Sequence, residues 1–277
     1  MKTDFVTVND TKIRYADSGG SGIPVLLSSG VTGSLEFWQP QFDALGQKLR
    51  LIAWDYPNHG LSELNPAVVT PSAYTETLLG LLDALQIEKA VLAGNSLGGT
   101  LSIRAAAAAP ERVASLVLLA PAMLGKEVYL PFRLMTLPFL GEIINKPGKG
   151  AVEQQIKSIF VDPAKTTTEA LREVITRNTM REGVATPFLA FLRATMSMKG
   201  IKADLWQEQM DMVSRLACPA HFIHGVQDKV LPIAQSERAA KAAPQGRVTR
   251  LEGCGHTPQL EMPDQVNAFL QEAVAAL

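Results

Sequence analysis

The chain has 277 residues, of which 47% are hydrophobic and 19% are charged, and its formal net charge is −1. A chain of this composition can bury a large core and lacks the low hydrophobicity of disordered proteins. Near-neutrality gives no electrostatic basis for binding nucleic acid or an anionic membrane. The chain has two cysteines, no apolar leader and no run of about 18 apolar residues. We therefore expect a cytoplasmic monomer or homodimer that acts on a small molecule.

Short apolar runs alternate with helical patterns over the first 121 residues. The pattern predicts six strands, at residues 5–9, 12–17, 24–29, 49–54, 90–93 and 113–119. The leucine spacing over residues 72–85 predicts a helix, and a second helix follows Ser96 and stops before Pro110. Strands that alternate with helices predict an α/β fold with a parallel sheet covered on both faces.

The pattern changes between residues 122 and 217. Helical stretches occur there near residues 132–144, 152–160, 169–180, 187–196 and 205–213. The sheet pattern then resumes, with strands predicted at residues 219–224 and 247–251 and helices near 232–243 and 263–275. We therefore predict a core domain formed by residues 1–121 and 218–277, with residues 122–217 inserted as a helical cap.

The sequence from Gly94 to Gly98 lies between a predicted strand and a predicted helix, with Ser96 at its centre. A turn this sharp brings the strand and helix backbones into contact, so the positions two residues before and after the serine must be small. The turn presents a serine hydroxyl at the carboxyl edge of the sheet, beside the N–H groups that begin a helix. This pattern is typical of a nucleophile elbow, and we predict Ser96 to be the nucleophile.

A serine nucleophile needs a base, and the base needs a third group that fixes its tautomer. Asp228 follows one late strand and His256 follows the next, so both should lie at the same sheet edge as Ser96. We predict that the three residues form a catalytic triad. Two backbone donors should stabilise the oxyanion, the N–H of Leu97 and the N–H of Val31.

Three other histidines compete for the role of base. His59 lies in a loop, and His221 and His224 lie in or at the end of a strand, where structural roles are the default. The histidines lack closely spaced partners, so the sequence predicts no metal site, and we expect no cofactor.

Four segments together resemble the α/β-hydrolase superfamily: residues 55–62, 94–99, 224–228 and 255–256. The resemblance implies an eight-stranded, mostly parallel sheet with a helical cap after the sixth strand, and hydrolysis through an acyl-serine. Members of this superfamily usually carry His-Gly where this chain has Ser29-Gly30. A serine at position 96 distinguishes the chain from the haloalkane dehalogenases and epoxide hydrolases, which need a carboxylate nucleophile.

The predicted cap should cover Ser96 and contribute to a substrate pocket. Seven of the nine methionines lie in it, and flexible methionines suit an adaptable apolar cavity. Six aromatic residues are candidates for the pocket wall: Tyr129, Phe132, Phe139, Phe188, Phe191 and Trp206. For any single one of them, helical spacing favours a role in the core of the cap, but we expect some of the six to face the pocket. Four arginines could bind a substrate carboxylate or simply lie on exposed faces: Arg133, Arg177, Arg181 and Arg193.

These observations predict a cofactor-independent serine hydrolase, a carboxylesterase that cleaves small-to-medium apolar acyl esters. One alternative is a C–C bond hydrolase of aromatic ring-fission products, which Gly94-Asn95-Ser96 resembles, although the Gly-Pro-Gly-rich oxyanion loop of that group is absent. Lactonase and perhydrolase chemistry also stay open. A different class of function is a ligand-binding receptor on a hydrolase scaffold.

Overall fold

The computed structural model describes residues 1–277. Ten strands occur in chain order: β1 (Asp4–Val8), β2 (Thr11–Asp17), β3 (Val25–Ser28), β4 (Leu51–Asp55), β5 (Ala90–Asn95), β6 (Val113–Leu119), β7 (Met196–Ser197), β8 (Gly200–Ile201), β9 (Ala220–Gly225) and β10 (Gly246–Leu251). Strands β7 and β8 pair with each other, and the other eight form one sheet.

The central sheet has the strand order β1-β2-β4-β3-β5-β6-β9-β10. Strand β2 is antiparallel to both β1 and β4, and every other neighbouring pair is parallel. An α/β fold with an eight-stranded, mostly parallel sheet is therefore confirmed. The strand that precedes Ser96, β5, lies in the middle of this sheet and is buried along its whole length.

The helices are α1 (Gln39–Leu45), α2 (Pro71–Ala84), α3 (Leu97–Ala108), α4 (Leu130–Met135), α5 (Leu140–Ile144), α6 (Lys149–Ile159), α7 (Pro163–Thr166), α8 (Glu169–Met180), α9 (Ala185–Thr195), α10 (Ala203–Val213), α11 (Ala234–Ala242), α12 (Pro258–Glu261) and α13 (Pro263–Ala275). No helix combines the length and the hydrophobicity that a membrane crossing requires.

Apolar residues fill the space on both faces of the sheet, and alternate side chains of β5 pack on opposite faces. Leu92 packs in a cluster with residues of α2, α3 and α11. Val91 and Ala93 pack in a second cluster, with Trp38 and residues of α13. This division follows from the two-residue period of a strand. It explains why the parallel strands are continuous apolar runs rather than alternating patterns.

Helices α4 to α10 lie between β6 and β9 in the chain, in the segment that was predicted as the cap. The predicted helix at residues 132–144 is in fact two helices, α4 and α5, separated at Pro138 and Phe139. Pro138 lacks a backbone N–H, and Phe139 has a φ of 65°, so a single helix cannot continue there. The β7–β8 hairpin and the short helix α7 have no counterpart in the sequence prediction. The domain limits at residues 122 and 217 stay a prediction.

Candidate active site

Ser96 lies at a sharp turn between β5 and α3, with a φ of 54° and a ψ of −115°. A Cβ atom at Gly94 would lie 2.2 Å from the carbonyl carbon of Gly98, and one at Gly98 would lie 2.1 Å from the carbonyl oxygen of Ser28. Only glycine fits at these two positions. A positive φ at a serine costs about 1–3 kcal/mol and persists only when the surrounding structure imposes it. The turn therefore has the geometry of a nucleophile elbow.

The two polar residues that follow β9 and β10 lie side by side at the sheet edge that carries Ser96. His256 Nδ1 is 2.8 Å from Asp228 Oδ2, and Asp228 Oδ1 accepts the N–H groups of Val230 and Leu231 at 2.7 and 3.1 Å. A carboxylate only accepts hydrogen bonds, so Nδ1 carries the proton and Nε2 keeps its lone pair. An imidazole in this tautomer can take a proton from a hydroxyl at Nε2.

A second imidazole contacts the same carboxylate. His224 Nε2 lies 3.0 Å from Asp228 Oδ2, and His224 Nδ1 lies 2.7 Å from Ser236 Oγ. Burial alone would raise the pKa of Asp228. The charge of His256 and the hydrogen bonds from both imidazoles outweigh it and hold that pKa well below its usual range. Asp228 is therefore ionised at neutral pH. His224 is fully buried and has no access to a substrate, so its role is to position Asp228.

Asn95 connects the turn at Ser96 to the loop that carries His256. Its Nδ2 donates to the carbonyl oxygens of His256 and Leu119, at 2.8 and 3.1 Å, and its Oδ1 accepts from Gln259 Nε2 at 3.2 Å. The amide thus holds the backbone of the histidine at a set distance from the serine. Sequence analysis assigned no such role to Asn95, although its place beside Ser96 was a signal.

The loop after β3 lies on the opposite side of Ser96 from His256. The Ser29 carbonyl accepts the N–H of Gly98 at 3.1 Å, and the Ser29 hydroxyl donates to the carbonyl of Ser34 at 2.8 Å. Ser29 therefore closes its own loop where relatives usually carry histidine. The Val31 N–H makes no backbone hydrogen bond. Leu97 begins α3, and the N–H groups of a first turn have no partner within the helix.

A cavity of about 130 Å³ opens over Ser96 and His256. Four of the six predicted aromatic residues line it, namely Tyr129, Phe132, Phe188 and Phe191. The structure does not place the other two there. The side chain of Phe139 is 85% exposed, because the break at Pro138 turns it away from the interior. Trp206 lies on α10, which packs against α3 and α11 rather than over Ser96.

No aspartate, glutamate, lysine or arginine lines this cavity. The four arginines named above are bound elsewhere: Arg133 to the Met198 carbonyl, Arg177 to Glu36, Arg181 to the Gly60 carbonyl and Arg193 to Glu142. A carboxylate in this cavity would lose its hydration without gaining a cationic partner, which is strongly unfavourable. The cavity therefore suits a neutral ligand.

Residues 25–269 match the alpha/beta hydrolase family. The chain belongs to this family. A dihydrolipoyllysine-residue acetyltransferase component of an acetoin cleaving system from Pseudomonas putida is 33% identical over 94% of this chain and 67% of its own length. A 2-hydroxy-6-oxo-6-phenylhexa-2,4-dienoate hydrolase from Comamonas testosteroni is 24% identical over 94% of this chain and 90% of its own.

Among solved structures, carboxylesterase CesB from Bacillus subtilis superimposes with a TM-score of 0.81. It is 21% identical in sequence and covers 100% of this chain and 92% of its own. At this identity the likeness establishes the hydrolase fold and leaves the substrate open. The hydrolases among these relatives act on small molecules, and the details of the site decide which class of substrate is proposed below.

One contact in this hydrolase was missed by sequence analysis, the pairing of Glu36 with Arg177. Glu36 follows the loop after β3 and accepts hydrogen bonds from Arg177 of α8 at 2.8 and 3.0 Å and from Arg14 of β2 at 2.8 Å. The neighbouring Asn178 donates to Ser34 Oγ at 3.0 Å. Burial opposes ionisation of Glu36, but the hydrogen bond from Arg177 and those from Ser34 and Arg14 lower its pKa to about 2. No local sequence pattern links residues 141 positions apart, so only the fold could reveal this contact.

Proposed function

We propose that the protein is a carboxylesterase in which Ser96 is the nucleophile, His256 the base and Asp228 the residue that orients the base. The observation that carries the proposal is the hydrogen bond of 2.8 Å between His256 Nδ1 and Asp228 Oδ2, at a cavity whose wall includes both Ser96 and His256. This hydrogen bond leaves Nε2 of His256 free to accept a proton in the cavity. The backbone N–H groups of Val31 and Leu97 are the proposed oxyanion donors.

The reaction runs in two half-reactions. Ser96 Oγ bonds to the ester carbonyl carbon as its proton passes to His256 Nε2, and the carbonyl electrons move to the oxyanion. The bond to the alcohol oxygen then breaks, and that oxygen takes the proton from Nε2, which leaves an acyl-serine. Water next adds to the acyl carbon while Nε2 takes its proton. The bond to Ser96 Oγ breaks, the proton returns to Oγ, and a carboxylic acid leaves.

The uncharged cavity favours an ester over the principal alternative. A dienoate of the kind named for the Comamonas testosteroni relative carries a carboxylate, and no cationic side chain lines this cavity to receive one. A neutral ester needs no such partner. The mixed wall, which includes Phe132 and Phe188 as well as Gln155 and Asn178, suits an ester whose alcohol is partly polar.

The test compares wild type with Ser96→Ala on p-nitrophenyl esters from acetate to dodecanoate. Loss of the nucleophile should lower kcat by roughly 10³-fold or more. The matched control is Ser158→Ala, which removes another hydroxyl from the same cavity wall and should change kcat by less than about 3-fold.

Equal rates in wild type and Ser96→Ala would overturn the assignment of the nucleophile. If the folded wild type hydrolyses no ester, but small neutral ligands raise its Tm without product formation, the protein is a binding protein on a hydrolase scaffold rather than an esterase.

A further inference from the structure

Two cavities of different size and polarity meet at Ser96. The larger is the cavity of about 130 Å³ described above, and the smaller is a pocket of about 30 Å³. Both are bounded by Ser96, Val31 and Phe132. The small pocket lies beyond this shared wall, and its remaining boundary includes Leu97, Met123, Leu192, Met196 and Ile201.

The chemistry of the proposed reaction distinguishes the two spaces. The leaving oxygen must receive the proton from His256, and His256 lines the large cavity but not the small pocket. The alcohol therefore occupies the large cavity. The small pocket is bounded by both residues whose N–H groups are the proposed oxyanion donors, Val31 and Leu97, and Leu97 does not line the large cavity. The remaining substituent of the carbonyl carbon, the acyl chain, is the group that this pocket can hold.

The size of the small pocket limits the acyl chain. The small pocket, at about 30 Å³, has less than a quarter of the volume of the large cavity, so it has room for only a few heavy atoms. Ser96 contributes the only polar side chain of its wall. The space therefore suits a short hydrocarbon chain and offers nothing to a hydroxyl or a charge.

The walls of the small pocket belong to the main hydrophobic core, which resists enlargement. Met123, Leu192, Met196 and Ile201 are all buried in the core cluster that also contains Leu97 and Leu101. Accommodating a longer chain would require several of these side chains to move together, and close-packed cores oppose such movement.

We propose that the substrate is an ester of a short, unbranched carboxylic acid, about two to four carbons long, with a larger neutral alcohol. The acyl chain enters the small pocket beside Leu97 and Met196, and the alcohol fills the large cavity beside Phe188 and Gln155. This inference rests on the proposed esterase function and adds the orientation of the substrate and the chain lengths of its two halves. It also predicts that residues of the β7–β8 hairpin, which lie far from Ser96 in sequence, set acyl specificity.

The experiment varies the two halves of the ester separately in wild-type protein. One series is p-nitrophenyl acetate, butyrate, hexanoate and octanoate, and the other is acetate esters of methanol, butanol, benzyl alcohol and 2-naphthol. We expect kcat/KM to be highest with acetate or butyrate and to fall at least 10-fold by octanoate. In the acetate series, kcat/KM should be maintained or rise with the larger alcohols.

Matched variants locate the specificity. Met196→Ala removes bulk from the wall of the small pocket alone and should move the acyl optimum toward hexanoate, with the alcohol preference unchanged. Ile201→Val removes one methyl group and tests the same wall where the larger truncation fails to fold. Ile144→Ala removes bulk from the large cavity alone and should change the alcohol preference but not the acyl optimum.

Three outcomes overturn the inference. A wild-type optimum at octanoate places the acyl chain in the large cavity and leaves the esterase function intact. A shift of the acyl optimum in Ile144→Ala, with no shift in Met196→Ala or Ile201→Val, would also place the acyl chain in the large cavity and leave the esterase function intact. Absence of any Ser96-dependent ester hydrolysis removes the proposed function, and the inference falls with it.

Discussion

The two sides of Ser96 are held in different ways. The histidine side consists of Asp228, His256 and Asn95, and all three lie at the ends of sheet strands or in the loops that follow them. The loop from residue 29 to residue 36, which carries the proposed oxyanion donor Val31, is called the oxyanion side below. Hydrogen bonds from Arg177 and Asn178 reach this loop from helix α8, in the segment inserted between β6 and β9.

The residues on the two sides of Ser96 are held in place by different parts of the fold. The histidine side is built mainly from strand ends of the sheet and the loops after them, with contacts such as those from the N–H groups of Val230 and Leu231 to Asp228. The His256 N–H also donates to the carbonyl oxygen of Ile159, the last residue of α6, at 3.0 Å. The oxyanion side depends on α8, whose Arg177 lies 141 residues from Glu36 in sequence. A change at Arg177 of α8 should therefore alter the stabilisation of the oxyanion while it leaves the serine–histidine proton transfer intact.

The largest effect is expected from Asp228→Asn. An amide Nδ2 would donate where the carboxylate accepts, so His256 would place its lone pair at Nδ1 and its proton at Nε2, where it cannot act as a base. We expect kcat for a p-nitrophenyl ester to fall by about 10³- to 10⁴-fold. The control is Asp211→Asn at an exposed helix position. A fall of less than 10-fold in Asp228→Asn, measured on folded protein, would remove Asp228 from the catalytic group.

The two sides should also differ in acid sensitivity. Asp228 stays ionised in weak acid because its pKa is held well below its usual range. On the oxyanion side, His59 packs at 3.9 Å between ring centroids on Tyr56, whose hydroxyl donates to the Ser29 carbonyl. Burial, assisted by the nearby charge of Arg181 and opposed by the hydrogen bond to the Pro57 carbonyl, lowers the pKa of His59 to about 4.

A histidine with a lowered pKa stabilises the fold above its unfolded pKa of about 6.5, and this contribution is lost as the pH falls toward 4. The unfolded chain takes up the proton first, so His59 alone should reduce the free energy of unfolding by about 2 kcal/mol between pH 7 and pH 5. His59→Phe keeps the ring and removes the titration. Urea unfolding at both pH values should show a fall about 2 kcal/mol smaller in the variant. Equal falls in both proteins would contradict the assigned shift.

The contrast between local contacts in the sheet and long-range contacts of the inserted segment explains what could be predicted from the sequence. The strands and helices of the sheet were found to within a few residues, because period and turn residues act over short distances. Ser96, Asp228 and His256 could be nominated since parallel strands bring the loops at their carboxyl ends together. The spacing of aromatic residues on cap helices does not show which way each helix faces. Phe139 and Trp206 were therefore placed in the pocket although the structure puts them elsewhere.

The contacts on the oxyanion side lay beyond sequence reasoning for a related reason. Glu36 has the sequence features of an ordinary residue in the first turn of a short 3₁₀ helix, and Arg177 those of an exposed helix cation. Their pairing depends on how α8 docks on the loop after β3. That docking depends on tertiary packing, and neither α8 nor the loop after β3 carries a local sequence pattern that predicts it.

The third prediction concerns this pairing. In Arg177→Met, Glu36 and Ser34 lose the guanidinium that holds them to α8, and the loop that carries Val31 gains freedom. Arg177 does not line the cavity, so KM should change little, whereas kcat should fall by roughly 10-fold because oxyanion donors act only when correctly placed. Arg177→Lys should recover part of kcat, since lysine restores the charge but not the paired hydrogen bonds to both carboxylate oxygens.

The matched control for this prediction lies on the same helix. Arg172 pairs with Glu153 at the protein surface, where both side chains are about half exposed, so Arg172→Met removes a guanidinium from α8 without touching the loop. Exposed pairs contribute about 0–1 kcal/mol to stability, and kcat should stay near the wild-type value. If Arg177→Met and Arg172→Met have the same kcat, α8 serves only as a cover and the oxyanion side is self-supporting. A fall in kcat confined to Arg177→Met would make the inserted segment part of the catalytic apparatus.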